Sequence, residues 1–148
     1  MDEQSFPGTL DSLEGIRNYV AEAAGEAGFD KSATYNLCLA VDEIVTNVIL
    51  HGYEEAGLSG DIQVGADLDS DKLVVWIQDH GKAYDPHAHK TPAEEDLNLP
   101  LELRNIGGLG ILLAKDAVDD LQYTSTEKGN VHSFVMLRAN ANSAASPD

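Results

Sequence analysis

Leu37-Cys-Leu-Ala-Val-Asp-Glu-Ile-Val-Thr-Asn-Val-Ile-Leu-His-Gly52 is the stretch from which the rest of the chain can be read. Leu37, Val41, Ile44, Val45, Val48 and Ile49 make it a helix apolar on nearly every side, and such helices are buried. Yet Glu43, Asn47 and His51 recur every four residues, which puts them on one stripe of that helix. A buried carboxylate or amide left without a partner costs on the order of a few kcal/mol. Something polar must therefore face the stripe.

Upstream, Ser5-Phe-Pro-Gly-Thr9 reads as a short edge strand or lead-in, because Pro7 has no amide for a central ladder. Leu13, Ile16, Val20, Ala23, Ala24 and Ala27 recur at helical spacing from Leu10 to Ala27, and Gly28 is the expected terminator. Asp30 or Ser32 can cap the next helix, which is expected to run to His51 and stop at Gly52. Downstream, a loop over Tyr53–Gly60 leads to Ile62, Val64, Ala66 and Leu68, which alternate with polar neighbours as in a half-buried strand. Asp69–Lys72 is a turn, and Leu73–Gln78 is apolar enough on both faces to be a central strand. The two strands predict an antiparallel hairpin.

Periodicity vanishes between Asp79 and Ile106, where Pro86, Pro92, Pro100 and the acidic Glu94-Glu-Asp96 interrupt the chain. Loops of that length inside compact domains are commonly functional lids or are disordered. A helix is expected from Gly107 to near Val118, then a closing hairpin of Leu121–Thr126 and Val131–Arg138 with Gly129-Asn130 at its turn. The tail, 140–148, is small and polar and is expected to be flexible. The sum is one domain over residues 1–139: an α+β two-layer sandwich with a mixed, mainly antiparallel sheet and helices on one face.

Twenty-six acidic side chains against nine basic ones give a net charge of −17, which disfavours direct contact with nucleic acid or an anionic membrane. An anionic ligand would need local donors or a cation. The single cysteine, Cys38, fits a reducing compartment. The amino terminus lacks the basic and apolar regions of a signal peptide, and no apolar run approaches bilayer-spanning length, so a soluble, cytoplasmic protein is expected.

Each candidate site has a structural alternative. Glu43 could be a cap or surface residue and Asn47 a satisfied core amide; alternatively, an amide oxygen is a hard, neutral Mg²⁺ ligand and a carboxylate one turn away could orient water or take a hydroxyl proton. His51 fits a helix end better than catalysis. Asp79-His-Gly81 is either a plain turn or a buried acceptor for a ligand amine, with Gly81 leaving bare backbone for the ligand. Gly107-Gly-Leu-Gly110 opens a helix at some cost in stability, either as a hinge or as a phosphate site. It is not a Walker A loop or a dinucleotide fingerprint. His80, His87 and His89 lack metal-site spacing, and Cys38 lacks the electropositive surroundings of a nucleophile.

Taken in order, Glu43-x-x-x-Asn47, Asp79-x-Gly81 and Gly107-Gly-x-Gly110 resemble the N, G1 and G2 boxes of the GHKL (histidine kinase-like) ATPase superfamily, whose architecture is the Bergerat fold. The match is nearer to the anti-sigma factor serine-protein kinases of the RsbW and SpoIIAB type. Phe6-Pro7, Ile16-Arg17, Ala40–Asn47, His51-Gly-Tyr53, Asp79–Pro86 and Gly107–Ile111 all resemble that pattern, which spans the chain from about Phe6 to Leu137.

The resemblance implies an ATP-dependent protein serine/threonine kinase that phosphorylates a STAS-domain anti-sigma factor antagonist and controls a sigma factor by partner switching. In it, Asn47 would ligate Mg²⁺ and Glu43 would be the general base. Asp79 would take the adenine amino group, with Gly81 and Ala83 beside the base. Gly107, Gly108, Leu109 and Gly110 would face the phosphates with Arg104 or Lys82, under a lid of residues 82–106. Asn130 stands where many relatives carry Thr near adenine. The same residues would also serve a non-catalytic nucleotide-binding regulatory module. Homodimers are frequent among relatives, and the absence of a phosphoacceptor-histidine domain or membrane sensor argues against a complete two-component kinase.

Overall fold

The computed structural model describes residues 1–83 and 106–138, with 106–111 described as a helical path alone. Five strands form one sheet in the order β1 (Gln4–Pro7), β2 (Asp61–Leu68), β3 (Lys72–Asp79), β5 (Gly129–Leu137), β4 (Asp120–Thr126). All four pairings among the described residues are antiparallel. β3 is the central strand, as its apolar run predicts, and Pro7 closes an edge strand. Ile62 and Val64 on β2, Leu73, Val75 and Ile77 on β3, and Phe134 on β5 are fully buried on the face covered by helices. Burying each such side chain is worth roughly 1.5–3 kcal/mol.

A 3₁₀ turn, Leu10–Ser12, leads into α1 (Leu13–Ala27), which ends at Gly28 with φ +83°. Asp30 caps α2 (Lys31–Asn47): its side chain accepts from the Ala33 amide at 2.8 Å. The Arg17 guanidinium reaches both Asp42 oxygens, at 3.1 and 3.0 Å, and ties α1 to α2. α3 (Ile106–Ala117) packs along α2. Leu112 and Leu113, apolar positions of the expected helix, are exposed.

Three expectations need correction. The helix through Asn47 does not stop at Gly52 but continues as a π-helix over Val48–Glu54, so the loop begins later than Tyr53. That continuation makes Lys31–Glu54 a helical run of 24 residues, long and apolar enough by composition to cross a bilayer, contrary to the expectation that no run is. Its apolarity has a core explanation, since Leu37, Val41, Ile44, Val45, Val48 and Ile49 all lie in the domain's hydrophobic cluster. Finally, Gly129-Asn130 is not the hairpin turn. Thr126 pairs with Gly129, so Glu127-Lys128 make the turn and Asn130 lies within β5. The expected tail, 140–148, lies outside the described residues.

Candidate functional site

β3 and β5 bring the first two site residues together. Their register sets Asp79 opposite Asn130, both on the buried face, 1% and 4% exposed. Asn130 Nδ2 donates to Asp79 Oδ1 at 2.9 Å and to the Gly81 carbonyl at 3.0 Å. The Gly81 amide also donates to Asp79 Oδ1, at 2.9 Å. Burial raises the Asp79 pKa above the usual carboxylate range, against the lowering effect of the Asn130 and Gly81 hydrogen bonds and the nearby His80. Two glycines crowd this carboxylate's backbone. A Cβ on Gly129, whose φ is +129°, would stand 2.6 Å from the Asp79 carbonyl, and a Cβ on Gly81 would stand 2.5 Å from that of Gly52.

Gly52 belongs to the π-helical segment, and that links the Asp79 turn to α2. Segments of π-helix often occur at functional sites, and the wider turn shifts the register of the residues beyond it. Here the Gly52 carbonyl accepts from the Lys82 amide at 2.8 Å. Next to it, the Tyr53 hydroxyl accepts from the His80 amide at 2.9 Å and donates to the Asp61 carbonyl at 2.8 Å. Gly52, Gly81, Asp79 and Asn130 are thus connected, and Asn47 immediately precedes the π-helical segment that carries Gly52.

Asn47 ends α2 with only 5% of its surface exposed, and its Nδ2 finds no hydrogen-bond partner among the described residues. An orphaned buried amide is rare in folded proteins and calls for a ligand or water. Glu43, one turn earlier, is half-buried; burial, and then the neighbouring Asp42, raise its pKa. The third member of the stripe, His51, departs from the other two. It pairs with Glu55 at 2.9 Å, in keeping with the structural role expected of it.

A cavity of about 300 Å³ is lined by Asn36 near the start of α2 and by Asp116 and Ala117 at the end of α3. The two helices are therefore antiparallel. Eleven residues separate Ala117 from Ile106 (117 − 106), and eleven separate Asn36 from Asn47 (47 − 36). At about 1.5 Å per residue both helices run roughly 16 Å away from that shared cavity. The start of a helix such as α3 carries N–H groups without intrahelical partners and the positive end of the dipole.

Ala83 and Gly81 line a second cavity, of about 250 Å³, together with His80, Ser125 and Asn130. Arg104, His87 and His89 lie outside the described residues, as do residues 84–105 of the expected lid. Burial pushes the Cys38 thiol up, away from nucleophilic character. Sequence reasoning gives Asn130 no definite role and misses Tyr53 and Ser125. Ser125 and Asn130 meet only through the hairpin register, and Tyr53 and Asn130 reach His80 and Asp79 across long stretches of chain.

A model of the histidine kinase-like ATPase domain matches residues 6–136. Over 126 residues the chain is 29% identical to the serine-protein kinase RsbW of Bacillus cereus, covering 84% of this chain and 78% of that protein. Over 112 residues it is 33% identical to the RsbW of Listeria monocytogenes, covering 75% of this chain and 66% of that protein. Among solved structures, the RsbU and RsbW domains of a Mycobacterium tuberculosis protein superpose with a TM-score of 0.61 at 18% identity; 93% of this chain is covered. The chain spans about a third of that solved chain, 33%. The histidine kinase domain of a blue-light activated kinase from Erythrobacter litoralis gives 0.54 at 15%, over 92% of this chain and 65% of that one. At these identities the two structures speak to fold alone.

Proposed function

The chain belongs to the histidine kinase-like ATPase domain family, and on that premise we propose that it is a cytoplasmic protein kinase. It binds ATP with Mg²⁺ and transfers the γ-phosphoryl group to a serine hydroxyl of a partner protein. The observation that carries this reading is the pairing on α2 of a buried Asn47, whose Nδ2 has no partner among the described residues, with a Glu43 carboxyl one turn away whose pKa is raised.

The residues fit the groups proposed. An amide oxygen is a hard, neutral ligand, so Asn47 would hold Mg²⁺ through Oδ1 with the nucleotide's own phosphates, while Nδ2, without a partner among the described residues, is left to donate to a phosphate oxygen or water. The ion would neutralise phosphate charge, which a chain of net charge −17 otherwise disfavours. Asp79 accepts from the exocyclic amine of adenine, and Gly81 leaves backbone bare beside the base. The N–H groups of the Gly107–Gly110 turn face the phosphates at the positive end of α3, with Arg104 adding charge. Glu43, with its pKa moved toward neutrality, takes the proton as the serine oxygen attacks the γ-phosphorus. The bond to the β-phosphate oxygen breaks and ADP leaves.

Family resemblance supports the partners: a STAS-domain antagonist as phosphoacceptor and a sigma factor as the regulated protein. Residues 1–139 act as one domain in this reading, and 140–148 as a tail. The test is incubation with γ-labelled ATP, Mg²⁺ and a candidate antagonist. Label should move to a serine with wild type and not with Glu43→Gln. Nucleotide binding without transfer to any antagonist would instead leave a regulatory module of the same fold.

A further inference from the structure

We propose that Asn130 and Ser125 are positioning residues that make the pocket select a purine bearing a 6-amino group over one bearing a 6-oxo group. They do so by committing one oxygen of Asp79 to the protein and leaving the other as the sole acceptor for the base. This inference rests on reading the Asp79 pocket as an adenine-nucleotide site, and it goes beyond that reading in assigning selectivity to two residues behind the carboxylate.

The chain of contacts has a direction. Ser125 Oγ donates to Asn130 Oδ1 at 2.6 Å. The Asp79 carboxylate and the Gly81 carbonyl fix the sense of the amide, because both are acceptors and call for Nδ2, which leaves Oδ1 toward the Ser125 hydroxyl. Nδ2 then donates to Asp79 Oδ1 and to the Gly81 carbonyl, at 2.9 and 3.0 Å. With the Gly81 amide at 2.9 Å, Asp79 Oδ1 receives two donors, whereas Oδ2 receives none among the described residues. A network that merely satisfied a buried carboxylate would spread its donors over both oxygens. Here they converge on one, and the second bond of Asn130 holds the carbonyl of the same turn.

The consequence is chemical. Oδ2 keeps its accepting capacity where no donor among the described residues competes, so an N–H of an exocyclic amine is the complementary group. A 6-oxo group would set acceptor against acceptor, and sites built around buried polar groups reject such mismatches strongly. If the Asn130 amide lost the Ser125 hydroxyl, its oxygen would lose that donor and the amide would be held from one side only, loosening the pose it imposes on Asp79.

The experiment is calorimetric titration of wild type, Asn130→Ala, Ser125→Ala and Ser125→Thr with Mg-ATP, Mg-GTP and the triphosphate of purine riboside, which lacks the 6-amino group. Melting temperatures of each apo protein are recorded alongside. Wild type should prefer ATP to both others. Asn130→Ala should weaken ATP at least tenfold while changing affinity for the amine-free analogue less than twofold. Ser125→Ala, at a largely exposed position and therefore safer for folding, should show the same pattern at several-fold, and Ser125→Thr should restore it. Equal losses for ATP and the analogue would reduce Asn130 and Ser125 to structural roles and overturn the proposal. Failure of wild type to bind any of the three nucleotides would instead remove the underlying site reading, and the proposal with it.

Discussion

Gly81 lies with its Cα against the Gly52 backbone, so close that a Cβ on Gly81 would stand 2.5 Å from the Gly52 carbonyl oxygen and 3.1 Å from the Tyr53 ring. This contact joins the turn carrying Asp79 to the helix carrying Asn47. Neither neighbour is the tip of a flexible side chain, so neither can give way cheaply. Gly81→Ala should therefore cost about 1–3 kcal/mol, the usual penalty for overpacking. The expected readout is a Tm lower by several degrees together with weakened ATP binding. A variant with wild-type Tm and wild-type affinity would show that the two segments can separate freely.

Asp79→Asn should part stability from function. Because burial raises its pKa, the folded state holds the Asp79 proton more tightly than the unfolded chain does. The stability this provides is full below the unfolded pKa and is lost as pH rises through the higher folded value, so at neutral pH the buried charge is a net cost. Asparagine keeps an oxygen for Asn130 and Gly81 and removes the charge. At pH 7 its unfolding free energy should equal or exceed that of wild type, with the difference shrinking on acidification, while ATP titration shows little or no binding. Chemical denaturation at two pH values is the check; a clearly less stable variant at pH 7 contradicts the argument.

Asn47→Ala should be nearly silent in the apo protein. Its Nδ2 makes no hydrogen bond among the described residues, so truncation gives up no such bond there and should cost about 1 kcal/mol or less beyond packing. Mg²⁺-dependent ATP affinity should fall at least tenfold. If ATP binds the variant as tightly as wild type in the presence of Mg²⁺, Asn47 is not the metal residue.

Glu43→Gln should retain ATP binding and lose phosphotransfer by about two orders of magnitude or more, the usual weight of a general base. In wild type, the rate should decline as pH falls through the Glu43 pKa, with a midpoint above the ordinary glutamate range because burial and Asp42 hold it up. A pH–rate profile that is flat down to the ordinary glutamate value would argue for a bystander carboxylate.

The parts of the fold that are legible in the sequence rest on neighbours in the chain. Asp30 reaches an amide three residues on, Gly28 ends α1, and the alternation of Ile62, Val64 and Ala66 shows which side of β2 is buried, although Leu68 at the strand's end is exposed. The Glu43–Asn47 spacing belongs to the same class, since one helical turn fixes it. The closing hairpin is harder to read because Asn130 and His132, both polar, occupy the buried face of β5 alongside Phe134 and Met136. Their polarity hides the start of the strand and makes Gly129-Asn130 resemble a turn.

Local sequence is enough to place most of the helices and strands, because hydrophobic period, caps and turn residues act over a few positions. How the site residues meet is a property of the packed fold. The β3–β5 register brings Asp79 to Asn130, 51 residues later, and a slip of one position would have turned Asn130 to the other face. The π-helical register after Asn47 sets Gly52 under Gly81. These are agreements between distant segments, fixed by the free energy of packing the whole core, and no local stretch of chain encodes them alone.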